Sequence, residues 1–165
     1  MKIGIIYYSR TGNTRQVAHL LEKKLLERNQ DVDVIEIEAV KKPGFFTTGY
    51  AAMKQKTLPI KNEGVDLAPY DTLLVGTPTW GRRPSPFIKT FFQSAQNTRG
   101  KKAAMFIIRG GDPDKRQTAQ EIMKKTLEGT GLNVADAFLC LQMKKGVIRK
   151  GEENIDSYLT KVLPL

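Results

Sequence analysis

Three short segments collect residue types that could hold a phosphorylated ligand with a flat ring. The first, YSRTGNT, sets Ser9, Arg10, Thr11, Gly12, Asn13 and Thr14 between an apolar run and a segment of helical period. Backbone N–H groups at a helix start have no partner inside the helix, and the peptide dipoles add partial positive charge there. An anion fits such a place. Gly12 permits a tight turn, and Ser9, Thr11 and Thr14 can donate hydroxyl hydrogen bonds. The stretch lacks the Gly-Lys-Ser/Thr of a Walker A loop and does not read G-x-G-x-x-G. Taken alone, such a turn reads equally well as plain helix capping.

The second segment, GTPTWGRRPSP, places Thr77, Pro78, Thr79, Trp80 and Gly81 directly after another apolar run. Trp80 is the only tryptophan. It could fill the core, or it could cover a flat ring from a loop. Gly81 leaves the neighbouring peptide free to turn beside that ring. The third segment, RGGDPD, supplies Arg109, Gly110, Gly111 and Asp112, two of them glycines whose backbone could approach a ligand edge.

Other chemistry is sparse. Cys140 is the only cysteine and lies among apolar neighbours, so it reads as a small core residue and the chain as one from a reducing interior. No Cys-x5-Arg phosphatase loop exists, since the sixth residue after Cys140 is Gly146. His19 is the lone histidine, expected to be exposed on the first helix, and no His/Cys cluster has metal-ligand spacing.

The elements that must position these segments alternate. KIGIIYY, DTLLVG and KAAMFIIR are short continuous apolar runs, the pattern of strands buried on both faces. DVDVIEIE alternates and reads as a strand with one more exposed face, and LNVADAFLCLQ reads as a fifth strand. Helical faces recur at Val17, Leu20, Leu21 and Leu25, at Ile88, Phe91, Phe92 and Ala95, at Ala119, Ile122, Met123 and Leu127, and at Ile155, Leu159 and Val162. Asn13 with Gln16 three residues on could cap the first helix. The stretch from Lys41 to Pro69 is irregular, with TGYAAMKQK a candidate short helix. Strands alternating with helices predict one α/β domain over residues 1–165, a parallel sheet covered on both faces. Ligands bind such sheets beyond the carboxyl ends of the strands, where the strand order reverses. All three segments follow strand ends.

The formal charge of +10 favours acidic partners, yet the lysines and arginines stand in scattered pairs. No apolar run is long enough for a membrane span or a signal-peptide core, which predicts a soluble, cytoplasmic protein.

YSRTGNT, GTPTWG and RGGD, in that order, resemble the phosphate loop and the two ring loops of the flavodoxin family. The resemblance covers almost the whole chain. It implies a doubly wound three-layer sandwich around a five-stranded parallel sheet of order 2-1-3-4-5, an arrangement for which flavodoxin is the standard example. It implies FMN as cofactor, with the phosphate on residues 9–14 and the ring between residues 77–81 and 109–112. The chain departs from the family in three ways. Arg82 and Arg83 stand where acidic residues are usual, RGGDPDKR offers no second aromatic for the ring, and the Lys41 to Pro69 segment is long. The leading expectation is a low-potential electron carrier, more an electron-transfer protein than an enzyme with its own substrate. Its partners would be redox proteins with acidic docking surfaces. The alternative is an NAD(P)H-dependent flavin or quinone reductase of the same fold. A basic nucleic-acid-binding module is a third reading, disfavoured because aromatics interleaved with Lys/Arg are not evident.

Overall fold

The computed structural model describes residues 1–41, 44, 50, 54, 56–112 and 116–163. Each apolar run forms a strand: β1 (Lys2–Tyr7), β2 (Asp31–Glu36), β3 (Thr72–Trp80), β5 (Lys102–Arg109) and β6 (Asn133–Lys144). These five are mutually parallel, in the order β2-β1-β3-β5-β6. The register sets Ile5 beside Val34 and Leu74, Leu74 beside Ala104, and Ile107 beside Cys140. The central strands are buried on both sides, whereas β2, at the edge, is only half-buried, as its alternating sequence implies.

Among the described residues the expected five strands become seven. β4 (Arg83–Pro84) pairs antiparallel with the end of β3, and β7 (Val147–Lys150) pairs antiparallel with the end of β6. Both additions are hairpins with two-residue turns. Gly81 and Arg82 have φ of 56° and 65°, and Lys145 and Gly146 have 51° and 76°. Positive φ at both central residues is the type I′ turn, whose twist matches that of paired strands. Hydrophobic periodicity missed both strands because β4 is two residues long and β7 is largely polar and exposed.

Among the described residues, α1 (Asn13–Leu26), α2 (Pro86–Ser94), α3 (Gln117–Glu128) and α4 (Ile155–Val162) cover the sheet. The two-residue period of the strands divides the core. Ile3, Ile5 and Leu74 face Leu21, Leu25 and Leu159 of α1 and α4. Ile6, Leu73 and Val75 face Phe91, Phe92 and Met123 of α2 and α3. Each such side chain contributes roughly 1.5–3 kcal/mol on burial. Phe106 is fully buried against Gly76, where a Cβ would lie 2.0 Å from its ring.

The irregular connection after β2 is tied at its ends. Ala39 bridges to Ile60, and the Lys61 N–H donates to the Glu38 carbonyl at 2.8 Å. The Asn62 side chain donates to the Glu36 carbonyl and accepts from the Glu38 N–H, prolonging the edge. The candidate helix at residues 48–56 lies largely outside the described residues. No described helix is long and apolar enough to cross a membrane.

Candidate cofactor site

β1, β3 and β5 are neighbours, so their carboxyl ends deliver the three predicted segments to one edge. Tyr7 lies beside Gly76, and Thr77 and Pro78 lie beside Ile107 and Ile108. Gly12, Gly81 and Gly110 come from three different strands, and at each a Cβ would meet nothing within 4 Å. Each of the three segments thus has open space beside its glycine.

At residues 9–14 the helix start has a glycine where a capping side chain is usual. Gly12, at φ 91°, occupies the N-cap position and has no side chain with which to cap α1. This corrects the expected Asn13–Gln16 capping box: Asn13 is already helical, and the Gln16 N–H donates to the Gly12 carbonyl at 2.9 Å. A left-handed N-cap turns the chain by backbone alone, which suits glycine. The Ser9 Oγ accepts the Arg15 N–H at 3.2 Å and pins the loop over the first turn. Thr14 is buried, Ser9, Arg10 and Asn13 are half-buried, and Thr11 is exposed.

An ion-pair network anchors this helix start to β2. The Arg15 guanidinium donates to both Glu36 oxygens, at 2.8 and 2.6 Å, and the Tyr7 hydroxyl donates to Glu36 Oε2 at 3.0 Å. Burial, reinforced by the Glu36 carboxylate, pushes the Tyr7 hydroxyl up to about 12. Glu36 holds the Arg15 guanidinium above its ordinary value. Arg15 is thus committed to Glu36, and Arg10 is the cation within the loop itself.

Residues 77–81 are built differently. The Thr77 hydroxyl is fully buried, accepts the Ser85 N–H at 2.9 Å and donates to the Pro78 carbonyl at 3.0 Å. Ser85 in turn caps α2, its Oγ accepting from the Phe87 N–H at 3.4 Å. Thr77 is therefore a structural residue at the base of the hairpin, and Pro78 and Thr79 are half-buried above it. Trp80 sits at the hairpin tip, half-buried, edge-on to Tyr8 at 5.7 Å and to Phe87 at 6.4 Å. Part of it packs on the core and part remains accessible to solvent. Tyr8 and Phe87, 4.4 Å apart, are supports that sequence reasoning missed; each looks like an ordinary core aromatic.

In the third segment Arg109 is buried at the end of β5, while Gly110, Gly111 and Asp112 are exposed. The Gln142 amide donates to the Gly110 carbonyl at 3.2 Å and ties the segment to β6. Cys140 is buried, and His19 is exposed and hydrogen-bonded to Glu22 at 2.8 Å.

The model of the NADPH-dependent FMN reductase family matches residues 1–143. A curated relative, an NAD(P)H quinone oxidoreductase from Candida albicans, is 26% identical over 124 residues, 72% of this chain and 43% of its own length. The chain spans about half the length of the curated relatives it matches. Among solved structures, a flavoprotein from Bacteroides eggerthii aligns with a TM-score of 0.75 at 22% identity, covering 98% of this chain and 97% of its own. A flavoprotein from Lactobacillus acidophilus, solved in complex with FMN, aligns at 0.70 and 20% identity, covering 96% and 98%. Flavodoxins align over the same length at 0.57 to 0.62. The fold is flavodoxin-like, and the chain belongs to the NADPH-dependent FMN reductase family.

Proposed function

We propose that this protein is an FMN-dependent oxidoreductase, one flavodoxin-like domain whose flavin is reduced by NAD(P)H and reoxidised by a quinone or a second flavin. Membership of an FMN reductase family supports the cofactor. The glycine N-cap of α1 and the three open glycine positions fit it. The phosphate would lie on residues 9–14, against unpaired backbone N–H groups and the hydroxyls of that loop. The ring would lie between Trp80 and the backbone of residues 109–112. When bound, FMN would supply acceptance of a hydride from NAD(P)H and delivery of electrons to an acceptor. The chain's own part is to bind and orient: the Thr77–Ser85 link fixes the hairpin, and Tyr8 and Phe87 hold Trp80 at its angle.

The observation that carries the reductase reading is the third segment. Its exposed Gly110, Gly111 and Asp112 put no aromatic over the ring, which leaves one face open to a planar nicotinamide. Anaerobic mixing of the flavin-loaded protein with NADPH or NADH tests it. Rapid bleaching, followed by reoxidation on adding a quinone, is the expected result. A flavin that stays oxidised with both nucleotides, yet accepts electrons from a reductase protein, would return the assignment to an electron carrier. That second reading is favoured by the exposed Arg82, which suits an acidic protein partner. A cytoplasmic location belongs to the proposal and is tested by cell fractionation.

A further inference from the structure

The β6–β7 hairpin reaches the phosphate loop. β6 continues to Lys144, two residues beyond its last pairing with β5 at Gln142. Its turn therefore projects past the sheet edge. It arrives at the first turn of α1: a Cβ on Gly146 would lie 3.6 Å from the Gln16 Oε1. Thr11, Gly12, Asn13 and Gln16 line one wall of a surface cavity, and Lys145 and Gly146 line the other.

Two further features single out Lys145. It is one of four non-glycine residues held at positive φ among the described residues, at 51°. The first central position of a type I′ turn favours Asn, Asp or Gly, and a lysine there opposes the local preference. Residues that break a local rule concentrate at functional sites. Lys145 is also exposed, with no carboxylate within ion-pair distance among the described residues. Arg15, in the first turn of α1, is engaged by Glu36.

We propose that Lys145 is a phosphate ligand of this site: its ammonium reaches across the cavity to the monoester held on residues 9–14 and closes the loop from the opposite side. The proposal rests on the FMN reading above. It makes the distal hairpin, which the family-type loop motif does not contain, part of cofactor recognition. The group recognised is a phosphate dianion, so riboflavin, which lacks it, should be indifferent to this residue.

The test uses the full chain loaded with FMN or with riboflavin, diluted so that released flavin is read by its fluorescence. Lys145→Asn removes the charge and supplies a better type I′ residue, so the thermal midpoint should hold or rise. FMN should nevertheless bind three- to tenfold more weakly, the range of one exposed to partly desolvated charge-assisted contact. Riboflavin affinity should not change, and the FMN loss should shrink as salt is raised. Lys144→Asn serves as the control and should bind FMN as the unaltered chain does. Unchanged FMN affinity in Lys145→Asn would overturn the proposal, and so would an equal loss for FMN and riboflavin. If the unaltered chain binds FMN no better than riboflavin, the phosphate-loop reading itself fails.

Discussion

The loop at residues 9–14 and the hairpin at residues 77–83 lie side by side on one sheet edge, yet they are built on opposite plans. The loop spends few hydrogen bonds: Gly12 at the N-cap has no side chain to give, and in the first turn of α1 Ser9 takes the Arg15 amide and the Gly12 carbonyl the Gln16 amide, which leaves the Asn13 and Thr14 amides to the proposed anion. The hairpin uses its hydrogen bonds internally: Thr77 holds Ser85, Ser85 caps α2, and two aromatics brace Trp80. An anion site needs donors that are free but fixed. A ring platform needs a surface that keeps its angle without the ligand, because ordering it on binding would cost affinity. The difference predicts that damage to the hairpin shows first in stability and damage to the loop first in ligand affinity.

The largest effect should come where both regions rest on one residue. Gly76 accepts the Tyr8 N–H through its carbonyl at 3.2 Å and underlies Phe106. Gly76→Ala would drive a methyl into a fully buried ring and should cost about 3 kcal/mol or more, seen in urea unfolding. A mild loss would mean that β3 can shift and that the two regions are less firmly joined than their shared strand implies.

A paired substitution separates the two plans. Thr77→Val leaves the buried Ser85 N–H without its acceptor and should cost roughly 1–3 kcal/mol of stability, with FMN affinity in the folded fraction little changed. Ser9→Ala should do the reverse, weakening FMN severalfold while unfolding shifts by about 1 kcal/mol or less. If the two variants move the same observable, the contrast between the regions is broken.

The anchor beneath the loop should be visible in pH. The Tyr7 hydroxyl is raised to about 12 in the folded chain against an ordinary value of 10.0. The folded state therefore holds this proton where the unfolded state has lost it. Stability should be intact below pH 10 and fall between about pH 10 and 12, by on the order of 1–2 kcal/mol from Tyr7. Tyr158, also raised by burial, adds to the same fall, so Tyr7→Phe should flatten it only in part.

Trp80→Ala should weaken FMN by about tenfold, equivalent to about 1.4 kcal/mol, through lost stacking and buried area. Because Tyr8 and Phe87 lean on the same ring, flavin-free protein should also lose about 1 kcal/mol. A stability loss of several kcal/mol with unchanged FMN affinity would make Trp80 a core residue and no platform. The smallest effect belongs to the turn beside it. Replacing Arg82 and Arg83 by glutamate should make the uptake of the second electron more negative by a few tens of millivolts at low salt, since Arg82 is exposed and screened. An unshifted potential with weaker binding of an acidic redox protein would assign the pair to docking instead.

Much of this was legible in the sequence because it depends on local patterning. Continuous apolar runs such as IGIIY and FII mark strands buried on both faces, and their alternation with helical faces leaves few topologies. Loops that directly follow parallel strands must meet at one edge, so residues 9–14, 77–81 and 109–112 could be grouped before any coordinate was known. The charge pattern was also readable: Lys24 and Arg28 pair with Asp156, and Lys124 with Asp136, as solvated faces do. Tertiary structure decided what depends on distant partners. That the Thr77 hydroxyl would hold the Ser85 N–H, eight residues on, no local pattern announced. Asn13 could have capped α1, but a left-handed Gly12 took that position. The polar β7 carries no periodic signal, and only the overrun of β6 past the sheet brings Lys145, 131 residues after Thr14 in the chain, to the mouth of the same cavity. Periodicity records which face a side chain needs; it does not record which backbone donor or which distant turn the fold will set against it.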